Sequence, residues 1–136
     1  MFGKRRREFE ETADAARSLL TSDNLVEMQR VVALAREMLF GMTGPVPAGV
    51  EVVDQLDERI EHLHQERVAQ HLGACANCTG SSFRISKERD VGVGRGRLVV
   101  CAGCGLVSTF VTRVDELASD QFGPPVEAPA HGGPFR

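Results

Sequence analysis

Four cysteines are the residues of this chain whose type and spacing indicate chemistry. Cys75 and Cys78 form one Cys-x-x-Cys pair, Cys101 and Cys104 form a second, and the sequence contains no other cysteine. Each pair can place two thiolates on one side of a tetrahedral metal ion. The twenty-two residues between the pairs are long enough for a β-hairpin that brings them together. The sequence therefore predicts one site made of four thiolates.

A closed set of four thiolates is typical of a structural zinc ion, because a catalytic zinc usually keeps one position open for water. Gly103 and Gly105 favour the same interpretation, since the chain must turn tightly there and direct backbone N–H groups at sulfur. Another metal, an iron–sulfur centre and redox or disulfide chemistry are the alternatives that the spacing leaves open. We find no nucleophile–base arrangement and no adjacent carboxylate pair in an apolar setting, so the sequence predicts a protein that is not an enzyme.

Charge is unevenly distributed along the chain. Of the 136 residues, 42% are hydrophobic and 26% are charged, which is typical of a globular protein near the size of one domain. The net charge is +4 over residues 1–7, −8 over 8–72, +4 over 75–114 and −3 over 115–136. An acidic region therefore separates a basic start from a basic segment that contains all four cysteines.

Membrane and export signals are not apparent in the sequence. No apolar run reaches the length of a membrane span, and the basic residues Lys4 to Arg7 are followed by acids and not by an apolar segment. Without an export signal, paired Cys-x-x-Cys motifs favour a metal over disulfides, and a cytoplasmic location is the default expectation. The lack of Trp and Tyr argues against a stacking platform for single-stranded nucleic acid.

Three helices are predicted in the first half of the chain, over residues 5–20, 24–40 and 50–72. Asn24 followed by Glu27 is typical of a capping box, and Gly73 is typical of a helix stop. The second helix carries a wide apolar stripe that must be buried, formed by Leu25, Met28, Val31, Val32, Leu34, Ala35, Met38 and Leu39. We expect the second and third helices to form an antiparallel hairpin, with the first packed alongside or extended from it.

Three strands are predicted around the cysteine pairs, at residues 82–87, 97–100 and 106–114. A Gly-rich loop, 88–96, joins the first two strands, a short helical turn is predicted at 115–119, and the Pro/Gly-rich residues 121–136 predict a disordered tail. The predicted fold class is α+β. We expect a helical hairpin or bundle of about three helices in residues 1–73, a small three-stranded antiparallel sheet in 74–114 and a flexible tail in 115–136.

Residues 75–114 resemble the zinc ribbons found in many small bacterial nucleic-acid-binding proteins. The matching residues are Cys75-x-x-Cys78, the run Val99-Val100-Cys101-x-x-Cys104-Gly105, and the strand that ends at Phe110. Thr79 departs from the pattern, which commonly has Gly after the first cysteine pair. The resemblance implies a three-stranded zinc ribbon with one structural Zn²⁺, and it does not extend to residues 1–74.

Two narrower resemblances fit this chain less well. A helical hairpin before a four-cysteine zinc site is similar to the DnaK-suppressor group, which binds RNA polymerase, but the turn here, Gly41 to Ala48, lacks an acidic tip. The ribbon of transcript-cleavage factors carries an adjacent acidic pair, whereas Arg89 separates Glu88 from Asp90.

Two functions remain as hypotheses. The first is binding to nucleic acid or to a component of the transcription machinery, with contacts from Arg84, Lys87, Arg89, Arg95, Arg97 and Arg113. The second is a protein-interaction adaptor that binds a partner or self-associates through helices 24–40 and 50–72. We expect no membrane partner. His62, His64 and His71 are expected at the surface or at an interface, with His71 a substitute metal ligand if one cysteine failed.

Overall fold

The computed structural model describes residues 2–118 and 120–128, and it confirms the predicted α+β class. Three helices come first: α1 (Phe2–Leu19), α2 (Leu25–Leu39) and α3 (Val50–Leu72). Four strands follow: β1 (Phe83–Ile85), β2 (Arg89–Asp90), β3 (Arg95–Cys101) and β4 (Val107–Val111). The bounds of α3 match the predicted helix, and Gly73 ends it in the left-handed backbone region, with its N–H donating to the carbonyl of Ala69.

The three helices form a bundle in which each helix packs against the other two. Asn24 caps α2, since its side-chain oxygen accepts the backbone N–H of Glu27 at 3.2 Å. Phe9, Met28 and Leu56 are fully buried at the centre. The core contains only helix residues: Phe9, Ala13, Ala16, Leu25, Met28, Val31, Val32, Ala35, Val53, Leu56, Ile60 and Leu63. The bundle therefore has a hydrophobic core that does not depend on the sheet.

The apolar stripe of α2 is largely covered inside this bundle. Leu25, Met28, Val31, Val32 and Ala35 are all buried in the shared core, so α1 and α3 together cover most of the stripe. Leu34 remains 39% exposed. The two neighbouring helices of the bundle therefore cover this face. Self-association through helices 24–40 and 50–72 stays a prediction.

The sheet is centred on β3. β4 pairs antiparallel with one edge of β3, while β1 and β2 pair one after the other with the opposite edge. Between β1 and β2 the chain leaves the ladder, and the Ser86 hydroxyl accepts the backbone N–H of Leu98 at 2.9 Å. The predicted three-stranded sheet therefore has a first strand that is split in two, and β2 lies in the segment predicted to be a loop.

One face of the sheet lies against α3. Arg97, Val99 and Cys101 alternate along β3 and are all buried, so their side of the sheet faces the bundle. The carboxylate of Glu61 on α3 accepts hydrogen bonds from Arg97, at 2.5 and 3.0 Å. The other face carries the alternate residues and points outward. This packing places the metal-binding end of the sheet just beyond the C-terminus of α3.

The segment after β4 contains a 3₁₀ turn at Val114–Glu116, which overlaps the start of the helical turn predicted at 115–119. Residues 120–128 contain no helix or strand. Ser119 and residues 129–136 lie outside the described part of the chain, so the predicted disordered tail is only partly covered. Over the described residues, no helix combines the length and apolar character needed to cross a membrane.

Candidate metal centre

The four predicted cysteines come together at one end of the sheet. Their Sγ atoms all lie within 4.8 Å of one another. Cys75 Sγ is 3.7 Å from Cys104 Sγ, and Cys78 Sγ is 3.5 Å from Cys101 Sγ. Four sulfurs at about 2.3 Å from a central ion form a tetrahedron with edges of about 3.8 Å. The observed spacings fit that geometry, so the four cysteines can hold one metal ion.

The two cysteine pairs have the same backbone geometry. The N–H of Cys75 donates to Gly80 O at 2.7 Å, and the N–H of Thr79 donates to Cys75 O at 2.9 Å. In the second pair the N–H of Cys101 donates to Leu106 O, and the N–H of Gly105 donates to Cys101 O, both at 2.9 Å. Each loop thus turns its two thiols toward the same point, and the two loops present one ligand pair each.

Thr79 and Gly105 occupy equivalent positions in these loops. Both lie in the left-handed backbone region, with φ of 63° for Thr79 and 81° for Gly105. Glycine adopts this conformation at little cost, whereas a β-branched residue is strained there. The departure of Thr79 from the ribbon pattern is therefore a local strain that the metal-binding loop tolerates.

Gly80 lies close to the sulfurs. A Cβ added to it would lie 3.2 Å from Cys78 Sγ, which is closer than side chains usually approach. At Gly103 the corresponding distance to the same sulfur is 3.5 Å, an ordinary van der Waals contact, so space does not require a glycine there.

Hydrogen bonds favour thiolates in the cluster. The Asn77 side chain and the Leu106 N–H lower the pKa of Cys104 to about 6. The backbone N–H groups of Cys104 and Gly103 lower the pKa of Cys101.

One thiol of the cluster retains its proton more strongly. The Gly80 N–H acts to lower the pKa of Cys78, but hydrogen bonds with Cys101 and Cys104 and the loss of water outweigh it and raise this pKa to about 11. Crowded thiols cannot all ionise without a cation among them, and a bound cation would displace the remaining proton. The donor set is therefore suited to a thiophilic metal ion.

The three histidines of α3 lie outside the cysteine cluster. His71, which the sequence places four residues before Cys75, packs edge-on against Phe110 with ring centroids 5.5 Å apart. His62 Nε2 lies 2.9 Å from Glu66 on the surface of α3. His64 Nε2 lies 3.0 Å from Gln29 Nε2. The only cluster of metal-ligating side chains found among the described residues consists of the four cysteines.

The six predicted contact residues do not form one surface. Arg84 and Arg89 are exposed, and their cross-strand partners Val100 and Gly96 place them on the outward face of the sheet. No ion pair joins either arginine to another residue in the described ranges. These two side chains are therefore exposed and carry no ion-pair partner among the described residues.

The remaining four predicted contacts have acidic neighbours. Arg113 Nε lies 2.9 Å and Arg95 Nε lies 3.8 Å from the carboxylate of Glu88. Lys87 lines a cleft with the acids Asp57, Glu58 and Glu61 of α3.

The prediction that Arg97 contributes to an exposed contact surface is wrong. Arg97 is 5% exposed and paired with Glu61, so it is not part of an exposed contact surface. It alternates with Val99 and Cys101 on the inward face of β3, and the sequence did not indicate the carboxylate that lies opposite it.

Comparisons of this chain with protein-family models, with curated proteins and with solved structures find no match.

Proposed function

We propose that residues 74–114 form a zinc ribbon that holds one structural Zn²⁺ through Cys75, Cys78, Cys101 and Cys104. The observation that carries the proposal is the set of four sulfurs spaced for a tetrahedral ion, two of them 3.5 Å and two 3.7 Å apart. Thiolate ligands favour zinc over hard cations, and a closed four-sulfur site leaves no position for a substrate or water. The ion would therefore act in folding and not in catalysis.

Zinc would supply most of the stability of the sheet segment. Four short strands bury little apolar area, and small domains of this size commonly need a metal or disulfides. Structural zinc contributes on the order of 10–16 kcal/mol in zinc-finger peptides. The buried hydrophobic residues of this segment are Val99 and two of the metal ligands, Cys75 and Cys101. The ligand cluster would therefore order the sheet as much as its apolar core does.

We further propose that the ribbon binds nucleic acid through its outward face. Arg84 and Arg89 lie on this face with Val100, Val107 and Thr109, and the strand residues of the face include no carboxylate. Guanidinium groups bind phosphate oxygens in bidentate geometry, and an acid-free surface does not repel the phosphate backbone. The net charge of residues 75–114, +4 before the metal site is counted, supports the same partner.

Fluorescence anisotropy with a labelled DNA duplex and a labelled RNA strand tests this function. Wild-type protein should bind with an affinity that falls steeply as salt rises. Arg84→Gln together with Arg89→Gln should weaken binding and reduce the log–log salt slope by about 2, since about one counterion is released per phosphate contact. Arg17→Gln together with Arg30→Gln, which removes the same charge from α1 and α2, should leave binding unchanged. Binding that is insensitive to salt, or equally weakened by both pairs, would overturn the proposal.

A component of the transcription machinery is the other partner that the ribbon resemblance implies. A pull-down with the full chain, in parallel with and without RNase and DNase, separates the two partners. Nucleic acid recovered on the wild type and lost on the Arg84/Arg89 variant supports direct binding. A protein partner that survives nuclease treatment contradicts it and favours docking on the transcription machinery.

A further inference from the structure

A cleft of about 480 Å³ lies between α3 and the inward face of the sheet. Volumes of roughly 300–1,000 Å³ are typical of sites for small ligands. The cleft is distinct from the cysteine cluster and from the outward face that carries Arg84 and Arg89. Its lining comes from α2, α3, β3, β4 and the segments flanking the strands: Gln29, His64, Arg67, Val68, His71, Glu88, Arg97, Phe110, Thr112 and Arg113.

The polar groups of this lining are mostly hydrogen-bond donors. Three guanidinium groups, two imidazoles, one amide and one hydroxyl face a single carboxylate, that of Glu88. Glu88 is itself engaged by Arg113 and Arg95. Arg67 is exposed on α3, and no ion pair joins it to another residue in the described ranges. The cleft thus offers an excess of donors and at least one uncompensated positive charge, in a protein with a net charge of −3.

The Arg97 side chain lies at the base of the cleft, and its contacts fix its position before a ligand binds. The side chain is 6% exposed, and its Nη1 donates to both carboxylate oxygens of Glu61 and, at 2.9 Å, to Ser86 O. All side-chain hydrogen bonds that Arg97 makes with other described residues leave from Nη1. The guanidinium is therefore fixed from one side, while its Nε and Nη2 donors have no partner among the described residues. A buried arginine with free donors in a cleft is an anchor for an oxyanion.

The pKa of His64 depends on its burial and on the charged groups around the same cleft. Burial, followed by the positive charge of Arg97, lowers the pKa of His64; Arg67 acts in the same direction, while Glu61 and Glu88 oppose it. Burial and the neighbouring guanidinium groups therefore both disfavour the protonated imidazole. An anion bound among them would act in the opposite direction and raise the pKa of His64.

We propose that this cleft binds the phosphate group of a phosphate monoester. Arg67 of α3, Arg97 of β3 and Arg113 after β4 line the cleft from three parts of the chain, which suits a tetrahedral oxyanion better than a planar carboxylate. Phe110 and His71, packed edge-on, provide a wall of aromatic rings for the organic part of the ligand. The monoester is either a free nucleotide or other phosphorylated small molecule, or the phosphorylated end of a nucleic acid strand.

The test is a titration of the full chain with inorganic phosphate, with a nucleoside 5′-monophosphate, and with one short oligonucleotide that has either a 5′-phosphate or a 5′-hydroxyl. Calorimetry gives the affinity, and NMR of the histidine rings gives the pKa of His64 with and without ligand. We expect the nucleotide to bind and the pKa of His64 to rise. Preference for the 5′-phosphorylated oligonucleotide identifies a strand end as the ligand, and preference for the mononucleotide identifies a free small molecule.

Two matched variants show whether the ligand binds in this cleft. Arg67→Gln, at an exposed position of α3, should weaken binding about tenfold, because a hydrogen bond to a charged group is lost. Arg17→Gln on α1 should leave binding unchanged. The double variant at Arg84 and Arg89 should also bind the mononucleotide normally, so the cleft can be tested even if the outward face binds no nucleic acid. No binding of phosphate or nucleotide at millimolar concentration, or binding that Arg67→Gln does not weaken, would overturn the proposal.

Discussion

Arg97 of β3 and Glu61 of α3 form an ion pair at the junction between the bundle and the sheet, with N–O distances of 2.5 and 3.0 Å. The side chains are 6% and 22% exposed. The same Arg97 Nη1 donates to Ser86 O at the break between β1 and β2, so one guanidinium of β3 is bonded both to α3 and to this break. This pair fixes the sheet on α3 and holds the split edge in register.

Removing one member of this pair should destabilise the protein strongly. Arg97→Met should cost about 3 kcal/mol in the free energy of unfolding, since breaking a buried pair leaves the other charge uncompensated. Glu61→Gln should cost at least as much, because it leaves the more deeply buried Arg97 guanidinium without its counter-charge. Urea denaturation of the zinc-loaded protein measures both, and the double variant gives the coupling. For comparison, breaking the exposed pair of Arg17 and Asp14 should cost no more than about 0.5 kcal/mol. A coupling between Glu61 and Arg97 as small as that would contradict the role of the junction.

Metal removal should disorder the sheet while leaving the helices folded. The bundle core consists of helix residues alone, from Phe9 in α1 to Leu63 in α3. Hydrogen exchange measured by mass spectrometry, before and after addition of a chelator, should show loss of protection over residues 74–114 and retained protection in α1, α2 and α3. Cys101→Ser should reproduce the chelator result. Simultaneous loss of protection in all three helices would show instead that the bundle depends on the metal.

Thr79→Gly should stabilise the metal-bound protein. A β-branched residue in the left-handed region costs of order 1–3 kcal/mol, and the added chain entropy of glycine in the unfolded state offsets roughly 0.5–1 kcal/mol. The net gain should be about 1 kcal/mol, seen as a higher melting temperature. Gly105→Thr is the matched reverse change at the equivalent position, and it should destabilise the protein. Destabilisation by Thr79→Gly would mean that the Thr79 hydroxyl, which donates to Cys78 O at 2.5 Å, outweighs the strain.

Stability should fall as the pH drops below about 6.5, in part because of His64. Its pKa is lowered in the folded protein by burial and by Arg97, so the unfolded state binds the proton more tightly. The contribution is present above the unfolded pKa of about 6.5 and is lost as the pH falls toward the folded value. His64→Gln should flatten the stability profile between pH 7 and 5 relative to the wild type, while His62→Gln, at an exposed position, should not. Identical profiles for His64→Gln and the wild type would refute this contribution.

The sequence predicted the elements that depend on local pattern. The apolar spacing of Val53, Leu56, Ile60 and Leu63 and the stop at Gly73 predicted α3 with the bounds observed. The cysteine spacing predicted which four thiols meet, because two Cys-x-x-Cys loops can serve one ion in only a few ways. These features depend on local patterns, namely the apolar spacing along one helix and the two-residue spacing within each cysteine pair.

What the sequence did not predict depends on contacts between distant residues. Glu61 and Arg97 are 36 positions apart, and only the packing of the sheet on α3 brings them together. The short strand β2 forms because Arg89 and Asp90 pair with β3, although Gly92, Gly94 and Gly96 around the turn indicate a loop. The sequence did not indicate which arginines would be exposed. In the structure some lie on the outward face of the sheet, some form ion pairs and Arg97 is buried.

The most direct test of the metal site is X-ray absorption spectroscopy at the zinc edge on the purified full chain, with metal content measured by mass spectrometry on the same sample. We predict one zinc per chain and a single shell of four sulfur atoms at about 2.3 Å. Each of Cys75→Ser, Cys78→Ser, Cys101→Ser and Cys104→Ser should remove a sulfur from that shell or abolish zinc binding. A chain that carries no zinc when purified and does not take it up, or a shell containing nitrogen ligands, would contradict the account.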